Sequence, residues 1–259
     1  MKKLITIILT LFAIHAFADE YTDTQTEAVS AGVSVSVAES LAQKTKAAGY
    51  STQNMIQIRN MIRTAQKTES VKMAEKTLEG IAKKVPEAKV MQALNMIQNR
   101  YAYAKELAEK TKVSAKYKEA FADAVADAMA AGAQKKGLDA MGESVAQSKQ
   151  ERNEYAMAVT AMYRDMMRYG VKDETASEVA VMAMKKLNVK QINEYRQNFM
   201  QNAGGNAGAY AKSMGANMSK GLGASSMGSG GGSGAGGSSG GAGGSGGSGG
   251  GHGGGGHGR

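Results

Sequence analysis

The chain has 259 residues, a formal net charge of +9, no Cys, no Trp and a single Pro. Without Cys it has no disulfide, no thiol nucleophile and no thiolate metal site, so its stability comes from apolar burial and helix packing. The charge is too dispersed to point to nucleic acid.

Residues 1–18 read as a secretory signal. Lys2 and Lys3 form a basic start, Leu4 to Phe12 an apolar run, and Ala16-Phe17-Ala18 a small-x-small cleavage pattern before Asp19-Glu20. The run is shorter than the ~20 residues a bilayer span needs. Its removal takes the net charge from +9 to +7, and Lys212, Lys220 and Arg259 carry three of those seven charges after Ala203. The expected locations are the periplasm or the medium. No later segment reads as a membrane span.

Residues 19–202 read as a helical domain, rich in Ala, Met, Lys, Glu and Gln. A first helix is expected from about Thr26 to Ala48, ending at Gly49 and taking in Val33-Ser34-Val35-Ser36-Val37. Ser51 caps a second, through about Gln66. A third spans about Ser70 to Lys83, and Pro86 opens a fourth. In the fourth, Val90, Leu94, Ile97, Tyr101, Ala104 and Ala108 form an apolar seam at helical spacing.

The fifth helix, about Ser114 to Ala131, places Tyr117, Phe121, Val125 and Met129 on its buried face and stops at Gly132. Gly137 and Gly142 are expected to loosen the segment after it. A long helix then reaches Tyr169 with Tyr155, Val159, Met162 and Met166 aligned, and Gly170 ends it. Asp173 is the expected cap of a seventh helix, to about Leu187, and a short last one carries Ile192, Tyr195 and Phe199. Short connections predict antiparallel sequential neighbours.

An internal repeat supports a stacked arrangement. Met55-Ile56-Gln57-Ile58-Arg59-Asn60-Met61-Ile62 aligns with Val90-Met91-Gln92-Ala93-Leu94-Asn95-Met96-Ile97, and the offset, near 35, is that of a helix-turn-helix unit. The expected fold is all-α: an irregular helical bundle or a short array of antiparallel helical hairpins.

Lys76-Thr77-Leu78-Glu79-Gly80-Ile81-Ala82-Lys83-Lys84-Val85-Pro86 resembles the K-x-x-E-G-x-A-K-G-V-P signature of a loosely defined group of exported bacterial helical proteins. Gly170-Val171-Lys172-Asp173-Glu174 is similar to the G-V-P-x-E turns of that group. The resemblance implies a short amphipathic helix ending at the first motif and a longer one starting at the Pro. It implies no biochemical role. Lys84 stands where the group has Gly, and a non-Gly residue in a left-handed turn costs roughly 1 kcal/mol.

Chemistry-bearing residues are sparse. After signal removal the only His are His252 and His257, both far along the tail; they are the sole metal candidates, and weak ones. A body without His lacks the usual general base, so no catalytic residue and no cofactor is assigned. Glu119, Asp123 and Asp127 recur every four residues and read as a solvated face, with cation binding or acid–base work as the alternative. Glu174 and Glu178 read the same way near a helix start. The many Met residues, including Met166-Met167 and the pair Met182 and Met184, read as core filling rather than as Cu(I) ligands.

From Ala203 to Arg259, 27 of the 57 residues are Gly and none is acidic. This stretch reads as a flexible tail, with Tyr210, Met214, Met218 and Leu222 forming a weak helix only on a partner. The functional expectation is an exported, non-enzymatic interaction or structural protein, its partner an anionic envelope polymer or another envelope protein. The alternative is a periplasmic carrier or sensor for a small apolar or cationic ligand held between helices.

Overall fold

The computed structural model describes residues 22–147 and 152–227. The signal at 1–18, His252, His257 and most of the Gly-rich tail lie outside the described residues. The described chain is all-α, with eleven helices and no strand. Helix α1 covers residues 22–30. It is followed by α2 (Val35–Ala47), α3 (Thr52–Thr64), α4 (Lys67–Ala82), α5 (Glu87–Lys110) and α6 (Ala115–Ala130). Then come α7 (Lys135–Gln147), α8 (Arg152–Arg168), α9 (Asp173–Lys186), α10 (Val189–Asn202), α11 (Ala207–Ser219) and a 3-10 turn at Ala224–Met227.

One turn recurs along the chain. Gly170 takes φ 78°, its N–H bonds to the carbonyl of Met167 at 3.0 Å, and the N–H of Val171 reaches back to Met166 at 3.0 Å. This double bond closes the open carbonyls of a helix end, and the left-handed residue it needs is easiest for Gly. The same pair of bonds ends helices at Gly32, Gly49, Gly132 and Gly221, and at Lys84 (φ 53°) and Lys112 (φ 55°). An apolar residue follows in nearly every case, and Val33, Tyr50, Val113 and Val171 are buried there. Because Lys bears a Cβ, Lys84→Gly and Lys112→Gly should each stabilise by up to about 1 kcal/mol, read as a higher urea midpoint.

From α2 on, helices pack on the next but one as well as on most of their sequence neighbours: α2 on α4, α6 on α8, α7 on α9, α8 on α10 and α9 on α11. Even and odd helices therefore form two layers of an array. Side chains tie equivalent positions of successive units. Ser51 gives its N–H to Glu87 Oε1 at 2.9 Å, Lys105 pairs with Glu69 at 2.7 Å and Arg59 with Asp23 at 3.1 Å. All three pairs are 36 residues apart, which gives the repeat offset its physical meaning: the duplicated segments are α3 and α5, neighbours in one layer.

Four expectations are corrected. The first helix is two, because Gly32 at φ 91° terminates α1 and Ser34 stands before α2 in extended backbone. Asp173 is the first residue of α9 rather than its cap; the cap position is Lys172. Gly137 and Gly142 do not loosen α7 but lie inside it at close contacts. A Cβ on Gly137 would sit 2.5 Å from Tyr163 Oη, and one on Gly142 2.7 Å from Leu107 Cδ1. The helical body also continues past Ala203: α11 packs on α9 with Ala211, Met214 and Met218 buried. The cost of Gly208 and Gly215 in that helix, about 1 kcal/mol each, is smaller than the gain from burying two Met side chains, about 1.5–3 kcal/mol each.

The apolar interior falls into two clusters. One joins α1 to the first half of α5 around Leu41, Ile58 and Leu94; the other joins the rest of α5 to α11 around Phe121, Met162 and Tyr195. Ile97, midway along α5, packs against both.

Candidate functional site

The even layer has one weak joint. Helices α4 and α6 run parallel, and they are tied together at only one end. Glu119 accepts from the N–H and hydroxyl of Thr68 at 3.2 and 3.1 Å. One turn on, Lys72 Nζ donates to Asp123 at 2.5 Å and to Asp127 at 2.6 Å. Asp123 also accepts the Tyr101 hydroxyl, and Asp127 accepts Arg168 at 2.9 Å.

Glu119 is exposed, as expected, but Asp123 and Asp127 are half-buried, and the three are not a free carboxylate pair. They form a ladder matched rung by rung to Thr68 and Lys72, which recur at the same four-residue spacing on α4. With Lys72, Arg168 and a phenol held against them, they have partners throughout and offer no open pair for acid–base work or a cation. Glu174 and Glu178 are exposed on α9, as expected. Met162, Met166, Met167 and Met184 are buried in the core, with Met182 packed against it. Among the described residues no three His, Asp or Glu side chains group as metal ligands.

Beyond the ladder α4 and α6 diverge, and a cleft of about 670 Å³ opens over α5. Its floor is apolar: Ala93, Met96 and Ile97 from α5, Ala126 and Ala130 from α6. Glu75, Lys76 and Glu79 stand on the α4 wall, Asp127 on the α6 wall and Arg100 on the floor. Met96 is 48% exposed, one of the few large apolar side chains left open in the fold. Arg100 is half-buried and has no acceptor among the described residues, whereas Lys76 and Lys83 both pair with Glu79. Those two lysines hold the Glu79 carboxyl low, at about 2.

The cleft lies above Ile97, where the two apolar clusters meet. It escaped the sequence reading because its walls are about fifty residues apart in the chain. The signal that was present was Met96 and Arg100 at helical spacing, each next in the chain to a residue of the seam. Compared with protein-family models, with curated proteins and with solved structures, the chain matches none. Among the described residues no helix is long and apolar enough to cross a membrane.

Proposed function

We propose that this chain is an exported, non-enzymatic interaction protein of the bacterial cell envelope, whose helical body receives a segment of a partner protein in the α4–α6 groove. The basic Gly-rich tail serves as its tether. The observation that carries this reading is the exposed Met96 on an apolar floor between two parallel helices. An apolar trough between two parallel helices suits an amphipathic partner helix, which would complete the layer. The lining bears both signs of charge, Glu75 and Glu79 against Arg100. That mixture favours a protein segment over a polyanion, which a single-signed basic patch would suit better.

The test is co-sedimentation of the purified protein with isolated cell envelopes. Met96→Asp should weaken binding at least about tenfold, since one buried apolar anchor contributes roughly 1.5–3 kcal/mol, and its own melting temperature should stay unchanged. Removal of residues 228–259 should weaken retention in a salt-sensitive way. If Met96→Asp pellets as well as the parent chain, the groove is not the docking site.

A further inference from the structure

A second pocket lies away from the groove, and its chemistry differs. It opens between the C-terminal turns of α2 and α4 and encloses about 500 Å³. Ala47, Ala48, Ile81, Val85 and Pro86 supply apolar walls. The polar groups are Tyr50, Lys44, Lys84 and Glu87. Tyr50 is only 8% exposed, and its hydroxyl is buried without a hydrogen-bond partner among the described residues. The other buried tyrosines differ: the hydroxyls of Tyr101, Tyr103, Tyr155, Tyr163 and Tyr195 each find an acceptor. A buried, unpaired hydroxyl is costly, so a phenol in the wall of a pocket gains from an acceptor brought from outside.

We propose that this pocket binds a small organic carboxylate with a short apolar body, accepting the Tyr50 hydroxyl and lying between the Lys44 and Lys84 ammonium groups. Neither lysine has an ion-pair partner among the described residues. Glu87 keeps its negative charge but is held by the Ser51 N–H at 2.9 Å and the Ser51 hydroxyl at 3.1 Å, and the two ammonium groups of the lining outnumber it. Carbonyls at both helix ends accept within the turns: Thr45 accepts Tyr50 N–H at 3.1 Å, and Gly80 accepts Val85 N–H at 2.9 Å. The negative ends of two helices disfavour a doubly charged phosphate more than a single carboxylate, and the pocket lining has no guanidinium fork of the kind that grips phosphate. Burial and the nearby Glu87 both push the Tyr50 phenol up, so it remains a donor at neutral pH. Lys84 adds a separate mark. It holds a left-handed conformation that Gly adopts more easily, and the strained residue is one that brings a cation to the pocket.

The site is independent of the α4–α6 groove, and the two tests separate. Octanoate, octanol and octylammonium are titrated against the purified chain by calorimetry at neutral pH. Octanoate should bind, with octanol and octylammonium at least tenfold weaker. Tyr50→Phe should weaken octanoate about tenfold, the effect of losing one hydrogen bond to a charged group. Lys84→Gly is the decisive variant: it should raise the melting temperature while weakening octanoate about tenfold. No heat with octanoate, octanol binding equal to octanoate, or full affinity in Lys84→Gly would each overturn the assignment. Octylammonium binding in preference to octanoate would assign the pocket to Glu87 and overturn it as well.

Discussion

Gly137→Ala is expected to destabilise the protein by about 2 kcal/mol, even though Ala is the better helix former by about 1 kcal/mol. The added Cβ would lie 2.5 Å from Tyr163 Oη and 3.1 Å from Ser177 Cβ. Tyr163 has little freedom to retreat. Its ring is fully buried between α7, α8 and α9, and its hydroxyl donates to Asp173, whose Oδ1 also accepts the Gln134 N–H at 2.9 Å. One methyl group therefore pushes on the hydrogen bonds that fix the starts of both α7 and α9. For a domain of this size the loss corresponds to a melting temperature lower by roughly 4–8 °C, measured by circular dichroism.

A second substitution makes the argument specific. Tyr163→Phe alone should cost about 1.5–3 kcal/mol, because it removes a donor from a carboxylate. It also removes the atom nearest the new Cβ. The double variant should thus be more stable than the sum of the single effects by about 1 kcal/mol or more. If Gly137→Ala is neutral or stabilising, helix propensity governs the position and the close approach of α7 to Tyr163 is wrong.

This glycine shows what the sequence conceals. Composition marks Gly137 and Gly142 as helix weakeners, and only the positions of Tyr163 and Leu107 turn them into contact points. Elements whose signal is local were legible: the seam from Val90 to Ala108, the Ser51 cap, whose hydroxyl accepts from Asn54 N–H at 3.3 Å, and the stops at Gly132 and Gly170. The repeat between α3 and α5 was legible too, since neighbours in one layer face similar surroundings.

Where the reading failed, tertiary burial overrode local preference. Gly208 and Gly215 argue against α11, but Val179 of α9 lies 3.3 Å from where a Gly215 Cβ would stand, so Gly permits the approach that buries Met214 and Met218. At Gly32 the surrounding Ala and Val hide a chain reversal that one left-handed residue produces. The acidic rungs on α6 were visible as a four-residue pattern. Matching them to the equal spacing of Thr68 and Lys72 would have predicted the α4–α6 pairing, and with it the place where the two helices part.

The same buried phenols make the protein vulnerable to alkali. Tyr101, Tyr103, Tyr155 and Tyr163 are at most 8% exposed, and desolvation raises each phenol above its ordinary 10.0. Tyr155 is pushed up to about 12. Tyr101, Tyr103 and Tyr163 rise further through their bonds to Asp123, Asp139 and Asp173, since a phenolate facing a carboxylate would lose its donor and be repelled. A raised folded value means that the native state holds the proton more tightly than the unfolded chain. This contribution is fully present below pH 10 and is lost as pH rises through the folded values. Each phenol that ionises only on unfolding removes about 1.4 kcal/mol per pH unit. Four together remove about 5 kcal/mol per unit, within reach of a domain's whole stability of about 5–15 kcal/mol. Helix loss and the ionisation of these four phenols should therefore occur in one cooperative transition between about pH 10 and 12, followed by circular dichroism and tyrosinate absorbance on the same samples. Tyr101→Phe should make that transition shallower, as one linkage term is removed. Tyrosines that all ionise near pH 10 while the helices persist would mean that these rings are open to solvent, and the core built around them would have to be redrawn.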